Sequence, residues 1–187
     1  MPAHPKTTDA QIVQATRRLI EREGRDGFSM NDVAKAVGIR APSLYGRFKD
    51  RASLLGAVEL HVCGDLARKL SKLIIDDDPE TTLMAQAQAI RRFAKRNPNS
   101  YSLLFDIGSV RTEEGTSARA AALVPLLPSL AALAGEDRAF SAARVLVPFM
   151  HGFISMELAH AFHMGGGLDV AFKNGVSVIL RGVTRSS

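Results

Sequence analysis

The sequence is short of cysteine, of uninterrupted apolar runs and of strand-like alternation, and each shortage removes a class of protein. One cysteine, Cys63, among 187 residues leaves no partner for an intrachain disulfide. The longest stretch without a charged residue, Ala120 to Gly135, contains Pro125 and Pro128, and is too short and too interrupted to span a bilayer. Nothing alternates with period two over a useful length, which argues against sheets. The first ten residues carry Lys6 with no apolar run behind it, so we expect no secretion signal and a reducing, cytoplasmic setting. What is present is ordinary for a globular chain: 46% hydrophobic and 23% charged residues exclude disorder over the whole length. At this length two compact units are the ceiling.

The formal charge is +5, from 24 Lys and Arg against 19 Asp and Glu, a balance that favours a polyanionic partner. Its distribution is more telling. Between Lys35 and Arg51 the cations Lys35, Arg40, Arg47, Lys49 and Arg51 face only Asp50.

Apolar residues recur at spacings of three and four almost throughout, which predicts an all-α protein. Ile12, Thr16, Leu19 and Ile20 mark a first helix ending near Gly24. Ser29-Met30-Asn31-Asp32 has the form of a capping box, opening a second helix with Val33, Ala34 and Val37 inward. Gly38 then allows a left-handed turn without a Cβ clash. A third helix, about two turns long, starts near Ala41, with Pro42 in its first turn and Leu44 and Phe48 on its buried side. A fourth, after Asp50, carries the stripe Leu55, Val58, Val62, Leu66, Leu70 and Leu73, long enough to join two domains, and ends at Asp76-Asp77-Asp78-Pro79. A fifth follows on Leu83, Ala87, Ile90 and Ala94, and Pro98 breaks the chain.

Beyond a short segment from Tyr101 to Ile107 and a polar loop from Gly108 to Gly115, Leu123, Leu126, Leu127, Leu130 and Leu133 mark a helix that its two prolines should kink or split. The stretch from Ala139 to Met164 is apolar on most sides, with Phe140, Ala143, Val147, Met150, Ile154 and Leu158 on one face. The last, Leu168 to Val183, has Phe172, Val176, Ile179 and Val183 on one face and Ala171, Gly175 and Val178 on another. A chain this small cannot cover both alone, so an intermolecular bundle of these two helices is expected.

Two short helices joined by a tight glycine turn form a helix-turn-helix, whose second helix enters the DNA major groove. The side chains its core does not need, Arg40, Ala41, Ser43, Tyr45 and Arg47, are small, polar or basic, as a groove-facing surface requires. The run from Phe28 to Phe48, with Val37-Gly38, Leu44-Tyr45-Gly46-Arg47-Phe48 and the following Leu54-Leu55, resembles the tetracycline-repressor (TetR) family of bacterial transcription regulators. Phe149-Met150-His151-Gly152 through Glu157-Leu158 resembles a regulatory domain of that family in which Trp-His-Gly recurs, with Met150 in place of the Trp.

The resemblance implies a homodimer with a DNA-binding domain over residues 1–50 and a helical ligand-binding and dimerisation domain over 51–187. It implies an inverted-repeat operator and release by a small, largely apolar effector; an activator would share every feature. Carried over by position, Ser29 and Arg51 would meet phosphates, Tyr45 would lie against the backbone, and Arg40, Ala41, Pro42, Ser43 and Arg47 would lie near base edges or flanking phosphates, with Lys49 beside them. The chain departs from the family at Arg40, where a Ser or Thr cap is common, at Pro42, where Gly is frequent, and at Gly46, where an aromatic or basic side chain often adds a contact. The candidate effector residues are Met84, Phe93, Tyr101, Phe105, Leu127, Phe149 and His151, with Tyr101 and His151 as polar fixers. No cofactor and no metal site is expected.

A rival reading is a small all-helical enzyme or carrier centred on the segment from His151 to His163, where Glu157, His160 and His163 recur at intervals of three. It lacks a nucleophile, base and orienting partner at recognisable spacing, and any phosphate-binding glycine loop.

Overall fold

Helix ends in this chain are set by caps and chain breakers. In a computed structural model that describes residues 7–75, 78–105 and 113–185, every element among the described residues is helical. Helix α1 spans Asp9–Glu23 between a Thr8 capping box with Gln11 and Gly24, whose φ of 81° suits a residue without Cβ. Helix α2 (Met30–Ala36) opens on the expected Ser29 box, in which the Asp32 N–H donates to Ser29 Oγ and the Ser29 N–H to Asp32 Oδ2. Helix α3 (Ala41–Tyr45) is shorter than the two turns expected. Helices α4 (Arg51–Ser71) and α5 (Pro79–Arg96) follow. Pro98 does not merely break the chain: it stands in the first turn of α6 (Pro98–Ser102), where no N–H partner is lost. The expected loop from Gly108 falls mostly outside the described residues. Helix α7 (Glu113–Leu123) gives way at Pro125 to a 3-10 turn, Val124–Leu126, and then to α8 (Leu127–Ala134), so the expected split is present. After a second 3-10 turn, Glu136–Arg138, come α9 (Ala139–Leu158) and α10 (Leu168–Arg185).

The chain forms two compact units, Met1–Gly64 with Asn97–Arg119, and Asp65–Arg96 with Ala120–Ser187. The division between them thus falls inside α4, unlike the sequence-derived domain boundary at residue 50.

In the first unit, the inward stripe of α1 (Ile12, Leu19, Ile20) is buried, as are Phe28, Val33, Leu44, Leu54 and Val58. Fully burying a side chain such as Leu44 contributes about 2 kcal/mol. Buried polar ties supplement this core. The Glu21 carboxylate of α1 accepts from the Asn99 N–H at 3.0 Å, the Ser100 N–H at 3.0 Å and the Ser100 hydroxyl at 2.6 Å, supplying partners that the first turn of α6 cannot find within itself. Arg119 stands 2.7 Å from Glu59, whose pKa burial raises against the pull of Arg119 and Arg25.

In the second unit, Leu83, Ala87, Ile90 and Ala94 of α5 are buried, as their spacing predicted, with Leu130 of α8, Leu146, Met150 and Ile154 of α9, and Phe172, Val176 and Leu180 of α10. Three stripes were misjudged by a residue or more. On α4 it is Leu54, not Leu55, that is fully buried, and Leu73 lies past the helix end. On α9 the inward row is Ala142-Leu146-Met150-Ile154, while Phe140 is 66% exposed. On α10 Leu180 takes the place assigned to Ile179. In a segment apolar all round, periodicity cannot choose the face. Helix α9 also stops at Leu158; His160, with φ 51°, is in the turn beyond, so Glu157, His160 and His163 do not share a helix.

Two stretches, Glu113–Ala134 and Glu136–Leu158, are long and apolar enough by composition to cross a membrane. The first is α7, a 3-10 turn and α8, and the second opens with a charged 3-10 turn.

Candidate nucleic-acid interface and effector region

The helix-turn-helix is α2, the turn Val37 to Arg40, and α3. Gly38 has φ 69°, and the Ile39 N–H returns to Ala34 O at 3.0 Å, closing α2 as the chain turns. Leu44 anchors α3 inward, which leaves Pro42, Ser43 and Tyr45 exposed, Tyr45 by 51%. Arg40 precedes α3 without a side-chain cap bond, so this departure from the family leaves the guanidinium outward.

The basic residues divide into two groups. Arg40 and Lys49 are exposed and form no ion pair within 4 Å among the described residues, although the charge of Lys49 helps to lower the pKa of the neighbouring Asp50. Arg47 turns back onto the start of α1, with Nε 2.6 Å from Asp9 Oδ1 and Nη1 donating to the Thr7 carbonyl. Arg51 is committed more completely. Its Nε donates to Phe28 O at 3.2 Å, its Nη2 to Arg25 O and to Asp26 Oδ1, and its guanidinium lies 4.6 Å from the centre of the Phe28 ring. It thereby ties the α1–α2 connection to the first turn of α4. Ser29 is exposed, with its hydroxyl donating to Asp32 at 2.5 Å while accepting the Asp32 N–H. Ala41, the first residue of α3, is half-buried.

The candidate effector residues are divided by the fold. Tyr101 and Phe105 belong to the first unit, where their rings meet at 5.2 Å and burial raises the Tyr101 pKa. Met84, Phe93, Leu127, Phe149 and His151 belong to the second. Phe149 sits directly over Gly175, where no Cβ intervenes, and stacks on Phe172 at 6.1 Å. His151 is half-buried, 3.4 Å from Ser155 Oγ through Nδ1, and burial lowers its pKa.

A residue that periodicity read past stands beside a groove of the second unit. Gln86 is buried, and its Nε2 donates to both Leu70 O and Pro125 O at 3.1 Å. Turning the amide over would set an oxygen against two carbonyls, so the orientation is fixed. Gln86 Oε1 is then a buried acceptor without a donor among the described residues. It borders a groove of about 310 Å³ with Ile74, Thr82, Pro125 and Ser129, and none of the seven sequence candidates lines it. The signal available in the sequence was a lone Gln within the apolar face of α5.

Two charged clusters elsewhere are engaged. Arg91 holds Glu157 through two hydrogen bonds, 2.6 and 2.7 Å, and Asp169 through a third at 2.7 Å; the two bonds to Glu157, with Lys95 at 2.9 Å, outweigh burial and lower the Glu157 pKa to about 2. Cys63 is buried, and burial followed by the nearby Glu59 pushes its thiol up to about 11. No group of three or more metal-ligating side chains occurs among the described residues.

Comparison with known proteins agrees with this layout. The family described as bacterial regulatory proteins, tetR family, matches residues 12–58, and the tetracyclin repressor-like C-terminal domain matches residues 83–179. The uncharacterized HTH-type transcriptional regulator Rv0681 of Mycobacterium tuberculosis is 29% identical over 157 residues, covering 82% of this chain and 71% of that protein. The HTH-type transcriptional repressor BdcR of Escherichia coli is 30% identical over 98 residues, 51% of this chain and 50% of its own. Among solved structures, a protein of unknown function from Rhodococcus sp. RHA1 superposes with a TM-score of 0.80 at 20% identity, over 97% of this chain and 98% of that one. A TetR variant from Acinetobacter baumannii AYE in complex with minocycline gives 0.68 at 21%, over 96% and 98%. Regulators of this family bind DNA and small-molecule effectors and act as dimers. With an N-terminal helix-turn-helix and a C-terminal domain each matching, the chain belongs to the TetR family of transcriptional regulators.

Proposed function

We propose that the protein is a cytoplasmic, homodimeric repressor that binds an inverted-repeat operator and is released by a small-molecule effector. The observation that carries the reading is the outward face of α3 and its flanks, where Arg40, Ser43, Tyr45 and Lys49 are exposed around a single buried anchor, Leu44. Such a face suits insertion into the major groove, with Ser29 at the start of α2 toward a phosphate. Arg47 and Arg51, held within the unit, would shape the reading head and reach a flanking phosphate only by leaving those partners. The repressor assignment follows the name of the relative BdcR.

Self-association through α9 and α10 is supported by large apolar side chains left outward on both helices, Phe140, Val145 and Val178. Two reading heads related by a twofold axis require an inverted repeat. For the effector, the second unit is the region of choice: the groove at Gln86 offers a mostly apolar wall and one buried acceptor, matching an apolar molecule that carries an N–H or O–H. Met84, Phe93, Leu127, Phe149 and His151 are its other candidates. Release requires that the effector bind one conformation better than the other, so DNA and effector oppose each other reciprocally.

The test is selection from random duplex DNA, followed by retitration of the enriched site at two salt concentrations with and without candidate effectors. An enriched inverted repeat is the expected result. The logarithmic salt slope should be about 0.9 per phosphate contacted. Absence of any enriched sequence would overturn the reading, and equal affinity with every effector would remove the switch.

A further inference from the structure

A second groove, of about 450 Å³, runs along α5 and α10 in the second unit and is lined by five cations, Arg91, Arg92, Lys95, Arg96 and Lys173, with Asp169 as its carboxylate. Counting Glu157 behind it, the local excess is +3, whereas residues 61–187 together carry only +2. The remainder of that part of the chain is therefore slightly acidic, and this groove is where its positive charge gathers.

The five cations are not equivalent. Arg91 and Lys95 are anchored on Glu157, and Arg91, its side chain 9% exposed, lies 5.1 and 5.7 Å from the centres of the Phe172 and Phe153 rings and forms the floor of the groove. Arg96 and Lys173 have no carboxylate partner among the described residues, and Arg92 reaches only the Gln88 side-chain oxygen at 3.5 Å. Arg92 and Arg96 stand one turn apart on α5, a like-charged pair that opposes helix formation unless an anion sits between them. The groove already accepts one oxyanion of the chain's own: Asp169, with a side chain 79% exposed, meets Arg91 Nη1 at 2.7 Å. Concavity, three uncompensated cations from two helices and a held carboxylate all favour the same class of ligand. The volume suits a small molecule, and guanidinium forks suit phosphate and carboxylate oxygens in pairs.

We infer that this groove binds a small organic ligand bearing two or more phosphate or carboxylate groups, held by Arg92, Arg96 and Lys173 over the Arg91 floor. It is separate from the groove at Gln86 and does not depend on the effector reading. No assigned role of the chain accounts for these residues.

The experiment uses the full chain, with pyrophosphate and citrate as probes, titrated calorimetrically and by thermal shift at constant ionic strength against sodium chloride. Saturable binding by the unaltered protein is expected, at least tenfold weaker in the Arg92→Gln, Arg96→Gln, Lys173→Gln triple variant. A control with Arg40→Gln and Lys49→Gln, which alters only the DNA-facing surface, should bind as the unaltered protein does. The single variants Arg96→Gln and Lys173→Gln, at exposed positions, read the same loss should the triple variant melt early. The stronger probe assigns phosphate or carboxylate as the preferred group. Lack of saturable binding, equal binding by the groove variants, or loss only in the Arg40 and Lys49 control would each overturn the inference. Operator binding is measured separately, so failure here leaves the repressor reading standing.

Discussion

The two units use arginine in the same two ways, and the contrast between them shows how one residue type divides between holding a fold and meeting a partner. In the first unit Arg51 gathers the α1–α2 connection by carbonyl bonds and stacks on Phe28, while Arg40 faces outward without an ion-pair partner among the described residues. In the second unit Arg91 is clamped between Glu157, Asp169 and two aromatic rings, while Arg96, five residues on, has no carboxylate partner among the described residues. The held arginines differ in what they satisfy. Arg51 binds mainly neutral carbonyls near the surface, whereas Arg91 neutralises a carboxylate whose side chain is 8% exposed. Loss of Arg91 should therefore be the more damaging, because it leaves a buried charge behind.

That difference can be broken or sharpened by experiment. Arg91→Ala is expected to destabilise the second unit by about 3 kcal/mol, the lower end for a broken buried pair because Lys95 still reaches Glu157. Urea denaturation measures it, and adding Glu157→Gln should recover part of the loss by removing the stranded charge. The same pair predicts an acid transition. Glu157 has a folded pKa of about 2 against an ordinary 4.5, so its stabilisation is complete above about 4.5 and disappears as pH falls toward 2. The loss is on the order of 3 kcal/mol, and a melt series from pH 6 to pH 2.5 should show it flattened in Glu157→Gln.

Arg51→Ala should cost about 1–2 kcal/mol, the value of a few hydrogen bonds to neutral carbonyls, read as a lowered midpoint in thermal melts. Ser29→Ala removes the α2 cap at about 1 kcal/mol. The smallest effect on folding belongs to Arg40→Ala, within about 0.5 kcal/mol, yet this variant should weaken operator binding and reduce the salt slope by about 1 if Arg40 meets a phosphate. An Arg40→Ala variant that melts early, or an Arg51→Ala variant that does not, would invert the proposed division.

Much of the architecture was legible in local chemistry. The Ser29 box, the Gly38 turn, Pro42 in the first turn of α3 and the split at Pro125 all follow from backbone rules that act within a few residues, and all are present. The inward face of α5 was legible because its apolar positions stand against polar ones. The inward faces of α9 and α10 were not, since a helix with nonpolar residues all round gives periodicity nothing to choose between; packing put Leu146 inside and Phe140 outside. Gln86 was missed for the opposite reason. A single amide on an apolar face looks like an interruption, and only the two carbonyls brought to it from Leu70 and Pro125 give it a role.

The sequence by itself determined that the chain is helical, where most helices begin and end, and that a basic helix-turn-helix lies near its start, because capping, turn and periodicity are short-range effects. Tertiary structure alone decided which cations are held and which are offered. Arg47 finds Asp9 across 38 positions of chain, Arg91 finds Glu157 across 66 and Asp169 across 78, and no spacing rule reaches that far. Charge is written in the sequence residue by residue, but whether it is neutralised depends on what folding carries to within 3 Å of it.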